Sequence, residues 1–257
     1  MTDTPTRIAV VVMIVGEKYV REFENNYKGS VSHYCERHGY DFYVLDQLIM
    51  PLEPFDRKKF FWQRFLIPSL PELRSYDYVL VIDADIFISP IAPALPILQP
   101  GKFGCINERK YLGNYDWRIL VQEARGWERT GKDWYALSGE EKDYHDHIQG
   151  GVVLYQPKYH ADLLLKLYEE NIDNYMKWHQ DDQSFLSSYG IDRDMIEWMD
   201  QRYDCVWVFW RDIMYPGFDR YSPDLKKLLV KRFIQLNWFT HWTMNLDVDV
   251  LQSVVNG

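Results

Sequence analysis

The sharpest pattern in the chain is a continuous apolar, β-branched run at residues 8–15, IAVVVMIV. Such a run suits a strand buried on both faces of a parallel sheet. Across residues 18–38 the larger apolar side chains Val20, Phe23, Tyr27, Val31 and Tyr34 recur every three or four positions. That spacing predicts one amphipathic helix, with Gly39 as its C-terminal cap. DFYVL at residues 41–45 predicts a second strand, so the chain opens as a β-α-β unit. Residues 58–66 predict a helix that carries Phe61 and Phe65 on one face and stops at Pro68. YVLVI at residues 78–82 is another buried strand. Residues 152–155 predict a strand leading into a helix opened by Pro157 and carrying Leu163, Leu164 and Leu167. This order predicts the α/β class, with a mostly parallel central sheet flanked by helices. Residues 107–147 depart from it, being rich in Trp, Tyr, Gly and charge with weak periodicity, as binding loops and lids often are.

At 257 residues and 47% hydrophobic content the chain can bury one sizeable core, so a single domain over residues 1–257 is expected, with residues 107–147 as an insertion. Its apolar runs fall far short of the roughly 20 residues of a membrane-spanning helix, and no transmembrane segment is expected. The opening MTDTPT is acidic and polar, unlike a secretory signal, which predicts a cytoplasmic chain, either free or peripherally held at a membrane. Cys35, Cys105 and Cys205 have no CxxC spacing and read as small buried hydrophobes. The net charge of -9 argues against nucleic acid as a partner. A lone nucleotide stays compatible with that charge if a bound cation supplies the positive side.

Three Asp-x-Asp triplets occur, and their position separates them. Asp83-Ala84-Asp85 directly follows YVLVI, so its carboxylates leave the carboxyl end of a central strand, where open α/β sheets place ligands. Asp192/Asp194 and Asp247/Asp249 follow no buried strand and read as solvated loop acids. Two like charges beside a core strand are costly without a cation, and oxygen ligands of this kind suit Mg²⁺ or Mn²⁺. His241, flanked by Trp238, Phe239 and Trp242, reads on its own as a packed core residue.

Residues 60–89, FFWQRFLIPSLPELRSYDYVLVIDADIFIS, resemble the glycosyltransferase family 8 pattern: an aromatic helix bearing an Arg, a proline-bounded turn, then an apolar strand ending in Asp-x-Asp. IQGGVVLYQP (148–157), HQDDQSFL (179–186) and FTHWT (239–243) follow in the family's order. Residues 25–45 also look like family 34 galactosyl- and mannosyltransferases. The resemblance implies a GT-A fold and a metal, Mn²⁺ or Mg²⁺, held by Asp83, Asp85 and His241, with Ala84 between them on the donor side. It implies that Arg64 reaches the donor, that Gly150 and Gly151 let substrate approach the backbone, and that Asp182 and Gln183 contact the transferred sugar beside Asp181. Val15, Gly16 and Tyr19 fall where the family holds base and ribose. The family's Gly and Lys-Pro-Trp after the metal-binding His are replaced here by Thr243, Met244 and Asn245, so Lys231, Arg211 or Lys58 would have to meet the diphosphate.

The function implied is transfer of a sugar from a nucleotide diphosphate sugar, a UDP-sugar, to a hydroxyl of a glycan or other acceptor, with retention. Trp117, Trp127, Trp134 and Tyr135 are the expected acceptor wall. Inversion stays open, since Asp181, Asp182 and Asp204 could serve as a base. A sugar-nucleotide nucleotidyltransferase would carry more glycine after the first strand than MIVGEKYVREF does, and a non-catalytic glycan-binding module would need no metal pair.

Overall fold

Strand β1 (Ile8–Met13) is buried along its whole length in a computed structural model, which describes residues 6–113, 124, 126, 131–179 and 181–256. Its pleat divides it between two cores. Val10 and Val12 face helices α1 (Glu17–Asn26) and α2 (Lys28–His38), whereas Ala9, Val11 and Met13 face a layer built around Trp62, Phe65 and Leu164. The other strands are β2 (Asp41–Leu45), β3 (Tyr78–Ile82), β4 (Ile86–Ile88), β5 (Phe103–Asn107), β6 (Ile148–Tyr155), β7 (Ile196–Trp198), β8 (Cys205–Val206) and β9 (Phe239–His241). The main sheet runs β2-β1-β3-β6-β5-β7. Pairs β1/β2, β1/β3 and β5/β7 are parallel, while β6 runs against both of its neighbours, so the sheet is mixed with parallel pairing in the majority.

Helix α3 (Arg57–Trp62) starts on Asp56, whose carboxylate accepts from the Lys58 and Lys59 amides. α4 (Gly131–Leu137), α5 (Pro157–Asn171), α6 (Asp181–Asp192), α7 (Pro223–Leu236) and α8 (Val248–Val255) complete the main helices among the described residues.

Two expected boundaries shift. The single helix of residues 18–38 is two, because Tyr27 leaves helical geometry at φ -127°. Its buried ring sends the hydroxyl to Asn245 Oδ1 at 2.6 Å, a contact from the far end of the chain. The helix at 58–66 tightens into a 3₁₀ segment, Gln63–Ser69, that runs through Pro68 instead of stopping there. Gln63 sits at that transition and binds the backbone of Ile49 and Met50.

A second, smaller sheet, β4-β9-β8, matters most for function. β4 continues the chain just past Asp85, and its antiparallel pairing places His241 opposite Ile86. β8 runs parallel to β9 with Val206 opposite His241, which brings Asp204, just before β8, to the same place.

Candidate active site

The register of the main sheet fixes where the site lies. Val12 pairs with Ile82, so residues 14–16 and 83–85 leave adjacent parallel strands at one edge. The start of β6 meets that edge from the opposite direction, and the Asp83 amide donates to the Gly151 carbonyl at 2.9 Å.

Asp83, Asp85 and His241 are gathered there, each offering one ligand atom within 4.8 Å of the others. His241 Nε2 lies 3.1 Å from Asp85 Oδ1 and 3.8 Å from Asp83 Oδ2. On its other side Nδ1 meets Asp204 Oδ1 at 3.1 Å. A carboxylate on Nδ1 holds the proton there and turns the Nε2 lone pair outward, the arrangement typical of metal-binding histidines. Burial presses the His241 imidazole down, but Asp85 and Asp204 outweigh it and hold the ring well above its ordinary value. Burial likewise raises Asp85, yet His241 brings its carboxyl below the usual range. Asp204 is fully buried, and that pushes it up to about 6 despite the same histidine. Without a metal, the imidazolium is the cation between these acids; a divalent ion on Nε2 would take the place of its outer proton. The donor set of two carboxylates and one imidazole fits such an ion.

Arg64 forms the second half of the site. Its Nε and Nη2 donate to Asp182 Oδ2 at 3.0 and 2.7 Å, and Nη1 donates to Asp83 Oδ1 at 2.6 Å and to the Gly150 carbonyl at 2.9 Å. The guanidinium is thus locked in one orientation. Burial raises Asp182 above the usual carboxylate range, more than Arg64 lowers it. Gln183 Oε1 accepts from the Gly150 amide at 2.8 Å. A Cβ at Gly150 would lie 2.9 Å from Arg64 Nη2, and one at Gly151 would lie 2.6 Å from the His241 ring, so both glycines are required by close approach. Arg64, Gly150, Asp182 and Gln183 line a cavity of about 10 Å³, room for about one water.

Asp83, Asp85, His241, Arg64, Gly150, Gly151, Asp182 and Gln183 are therefore one cluster, with Ala84 half-buried between the two acids. Asp181, at the start of α6, pairs with Lys58 at 3.3 Å and adopts a left-handed φ of 55°. Val15 and Gly16 lie at the same sheet edge; Tyr19 is exposed on the first turn of α1. Arg211 is engaged by Asp212, Asp219 and Asp247; Lys58 is partly exposed beside α6 and pairs with Asp181, and Lys231 is exposed on α7.

Three sequence readings need correction. Asp192 and Asp247 are no solvated loop acids: Asp192 ends α6 and its carboxylate accepts from Lys142 Nζ and the Tyr144 hydroxyl, and that of Asp247 accepts from Trp207 Nε1 and Arg211 Nε. His241 is not an ordinary core histidine, being ringed by acids. Trp134 and Tyr135 are buried against His147 and present no open ring face. Trp117 and Trp127 lie outside the described residues.

Sequence reasoning missed the partners behind the cluster. Asp204 figured only as a spare acid, because nothing local marks a two-residue strand after it. A buried set also ties the ends of residues 107–147 to α6. His147 Nδ1 meets Glu108 Oε2 at 3.0 Å, its Nε2 meets Ser184 Oγ at 3.0 Å, and Gln183 Nε2 stands 3.3 Å from Nδ1.

No protein-family model matches the chain, and no curated protein matches it. Solved structures do. A glycosyltransferase involved in glycosylation of the major capsid of PBCV-1 aligns with TM-score 0.59 at 14% identity, over 91% of this chain and 92% of that one. The bifunctional glycosyltransferase WbbM aligns with TM-score 0.55 at 13% identity over 94% of this chain, which spans 46% of WbbM. An active-site mutant of LgtC aligns with TM-score 0.53 at 13% identity, over 91% of this chain and 86% of that one. With the sheet order, the second small sheet and the acid-histidine cluster at the strand ends, these likenesses give the chain the GT-A-type α/β fold of these glycosyltransferases.

Proposed function

We propose that the chain is a metal-dependent glycosyltransferase that moves a sugar from a nucleotide diphosphate sugar, a UDP-sugar, to a hydroxyl of a glycan or other acceptor, with retention. The observation that carries this reading is the Asp83, Asp85, His241 set at the carboxyl edge of β3, backed by Asp204. A divalent ion held by Asp83, Asp85 and His241 would supply stabilisation for the charge that develops on a departing diphosphate. The imidazole in the set favours Mn²⁺ over Mg²⁺, which prefers oxygen ligands alone.

The chain's own groups then divide the remaining work. Arg64, fixed by Asp182 and the Gly150 carbonyl, presents a positive charge that needs no reorganisation when the leaving group becomes more anionic. Gly150 and Gly151 keep the floor of the pocket free of side chains, so the sugar can lie against backbone. Gln183, anchored through Oε1 on the Gly150 amide, holds its position beneath the sugar. Asp182 accepts two hydrogen bonds from Arg64 and is buried, so it is not presented as a general base; that supports retention over inversion. Val15, Gly16 and Tyr19 take the base and ribose, with the exposed Tyr19 ring as a stacking face. The acceptor approaches from the side of residues 107–147, whose ends adjoin Gln183 through Glu108 and His147.

The test is donor hydrolysis with Mn²⁺, comparing UDP-, GDP- and dTDP-sugars on the wild type and on Asp85→Ala. Hydrolysis of one donor class by the wild type alone supports the reading; no turnover of any donor, with no rise in melting temperature, refutes it.

A further inference from the structure

Helix α7 is apolar on two opposite faces. Val230, Phe233 and Ile234 enter the core, as an amphipathic helix requires. On the outer face Leu225, Leu228 and Leu236 stand exposed, Leu228 at 61%. Their spacing of three and eight places them on one stripe, since eleven residues make about three helical turns. Arg232 falls within that stripe and Lys231 lies to one side of it, while Lys227 lies further round, next to the core-facing Ile234. Among the described residues none of these three cations forms a salt bridge. The helix holds four cations, with Lys226, against the single acid Asp224, in a chain whose net charge is -9.

We propose that the outer face of α7 docks on an anionic lipid surface. Exposed leucines are suited to the acyl boundary, and lysines and arginine to the headgroup phosphates, with each cation near such a surface strengthening attachment about fivefold. A protein surface would cover the leucines equally well, but the unpaired cations against an acidic background select a partner that is both apolar and densely anionic. The face also has a place in the molecule: Leu236 is five residues before His241, so a docked α7 holds β9 and the candidate metal site near the membrane plane. Among the described residues no helix is long and apolar enough to cross a membrane.

The experiment is co-sedimentation of the full chain with vesicles of phosphatidylcholine alone and of phosphatidylcholine mixed with phosphatidylglycerol, at low and high salt. Binding is expected only to the mixed vesicles and is expected to weaken with salt. The double variant Lys231→Glu/Arg232→Glu is expected to lose more than about tenfold in vesicle affinity, and Leu228→Ser to lose binding, both with unchanged melting temperature. No binding to mixed vesicles overturns the proposal, as does equal binding to both kinds or binding indifferent to the α7 variants. Self-association abolished by Leu228→Ser, without vesicle binding, overturns it in favour of a second copy of the chain. Vesicle binding is read without donor or turnover, so its failure and the failure of the transferase reading are separate results.

Discussion

Replacing Gly151 by alanine places a methyl group where the structure has no room for one. The added Cβ would lie 2.6 Å from both Cε1 and Nδ1 of His241 and 2.8 Å from Asp204 Oδ2. Ordinary contact begins at 3.4 Å, so the overlap with the ring is 3.4 - 2.6 = 0.8 Å. The ring has little freedom to yield, because Asp85 and Asp204 hold its two nitrogens and its exposure is 5%. Gly151 has little freedom either: its carbonyl accepts from the Asp83 amide, and the next residue, Val152, pairs with Ile82. Forcing atoms into such a space costs about 1–3 kcal/mol of stability. The larger effect falls on the metal, since His241 must turn away from its partners, and disturbing that support lowers affinity about 10- to 100-fold. Titrating Mn²⁺ while following the melting temperature reads both effects, because an ion that binds only the folded state raises it. Gly29→Ala is the control: it lies in α2 with nothing within 4 Å of the new methyl and is expected to gain about 0.4–1 kcal/mol. A Gly151→Ala protein with wild-type Mn²⁺ affinity would refute the placement of His241 as a ligand.

Asp204→Asn keeps the size of the side chain but removes the carboxylate on His241 Nδ1; Mn²⁺ affinity is expected to fall about 10- to 100-fold by calorimetry, and unchanged affinity would dismiss the orienting role. Arg64→Ala leaves the Asp182 carboxylate buried and unpaired, an expected loss of about 3–5 kcal/mol in urea unfolding, with Asp182→Asn in the same chain restoring much of it. His160 accepts from the Gln156 amide at Nδ1 and meets the Gly101 carbonyl at Nε2, and burial holds its imidazole below the ordinary 6.5. As pH falls through 6.5 the unfolded chain takes up this proton before the folded one, so stability is lost in that window; a His160→Gln chain should show a flatter urea midpoint there, and parallel curves would count against it.

The parts of the fold legible in the sequence are those decided by burial on both faces. β1 and β3 are apolar at every position and need no partner to be recognised. The break at Tyr27 was not legible, because the three-and-four spacing continues across it and the partner of the Tyr27 hydroxyl, Asn245, lies 218 residues away. The small sheet was invisible for a different reason. Strands of two or three residues, such as β8 and β9, are too short to show a period, yet they bring His241 and Asp204 beside Asp85. The Asp83, Asp85 and His241 cluster was therefore legible through family resemblance and through the position of Asp83 and Asp85, while the Asp204 carboxylate on the histidine was not. Asp247 was misread for the same reason: Trp207 and Arg211 reach it through tertiary contacts that leave no local trace.

Charge in the cluster also decides how a donor can enter it. Asp83, Asp85, Asp182 and Asp204 face one guanidinium, Arg64, and one imidazole, His241, all joined by the contacts already described. With His241 protonated and the four acids ionised the sum is 2 - 4 = -2, an excess that repels a diphosphate; a divalent ion that takes the place of the outer His241 proton changes it by 2 - 1 = +1, to -1, and puts its own double charge where the diphosphate would bind. Lys58 adds little, because it pairs with Asp181. The order of events follows from this balance: UDP should bind the metal-loaded chain and not the metal-free one. In a melting experiment UDP with Mn²⁺ is expected to raise the transition above Mn²⁺ alone, while UDP with a chelator leaves it unmoved. An equal rise with chelator present would mean that the nucleotide reaches the chain through groups outside this cluster, and the assignment of Asp83 and Asp85 to the diphosphate would fall with it.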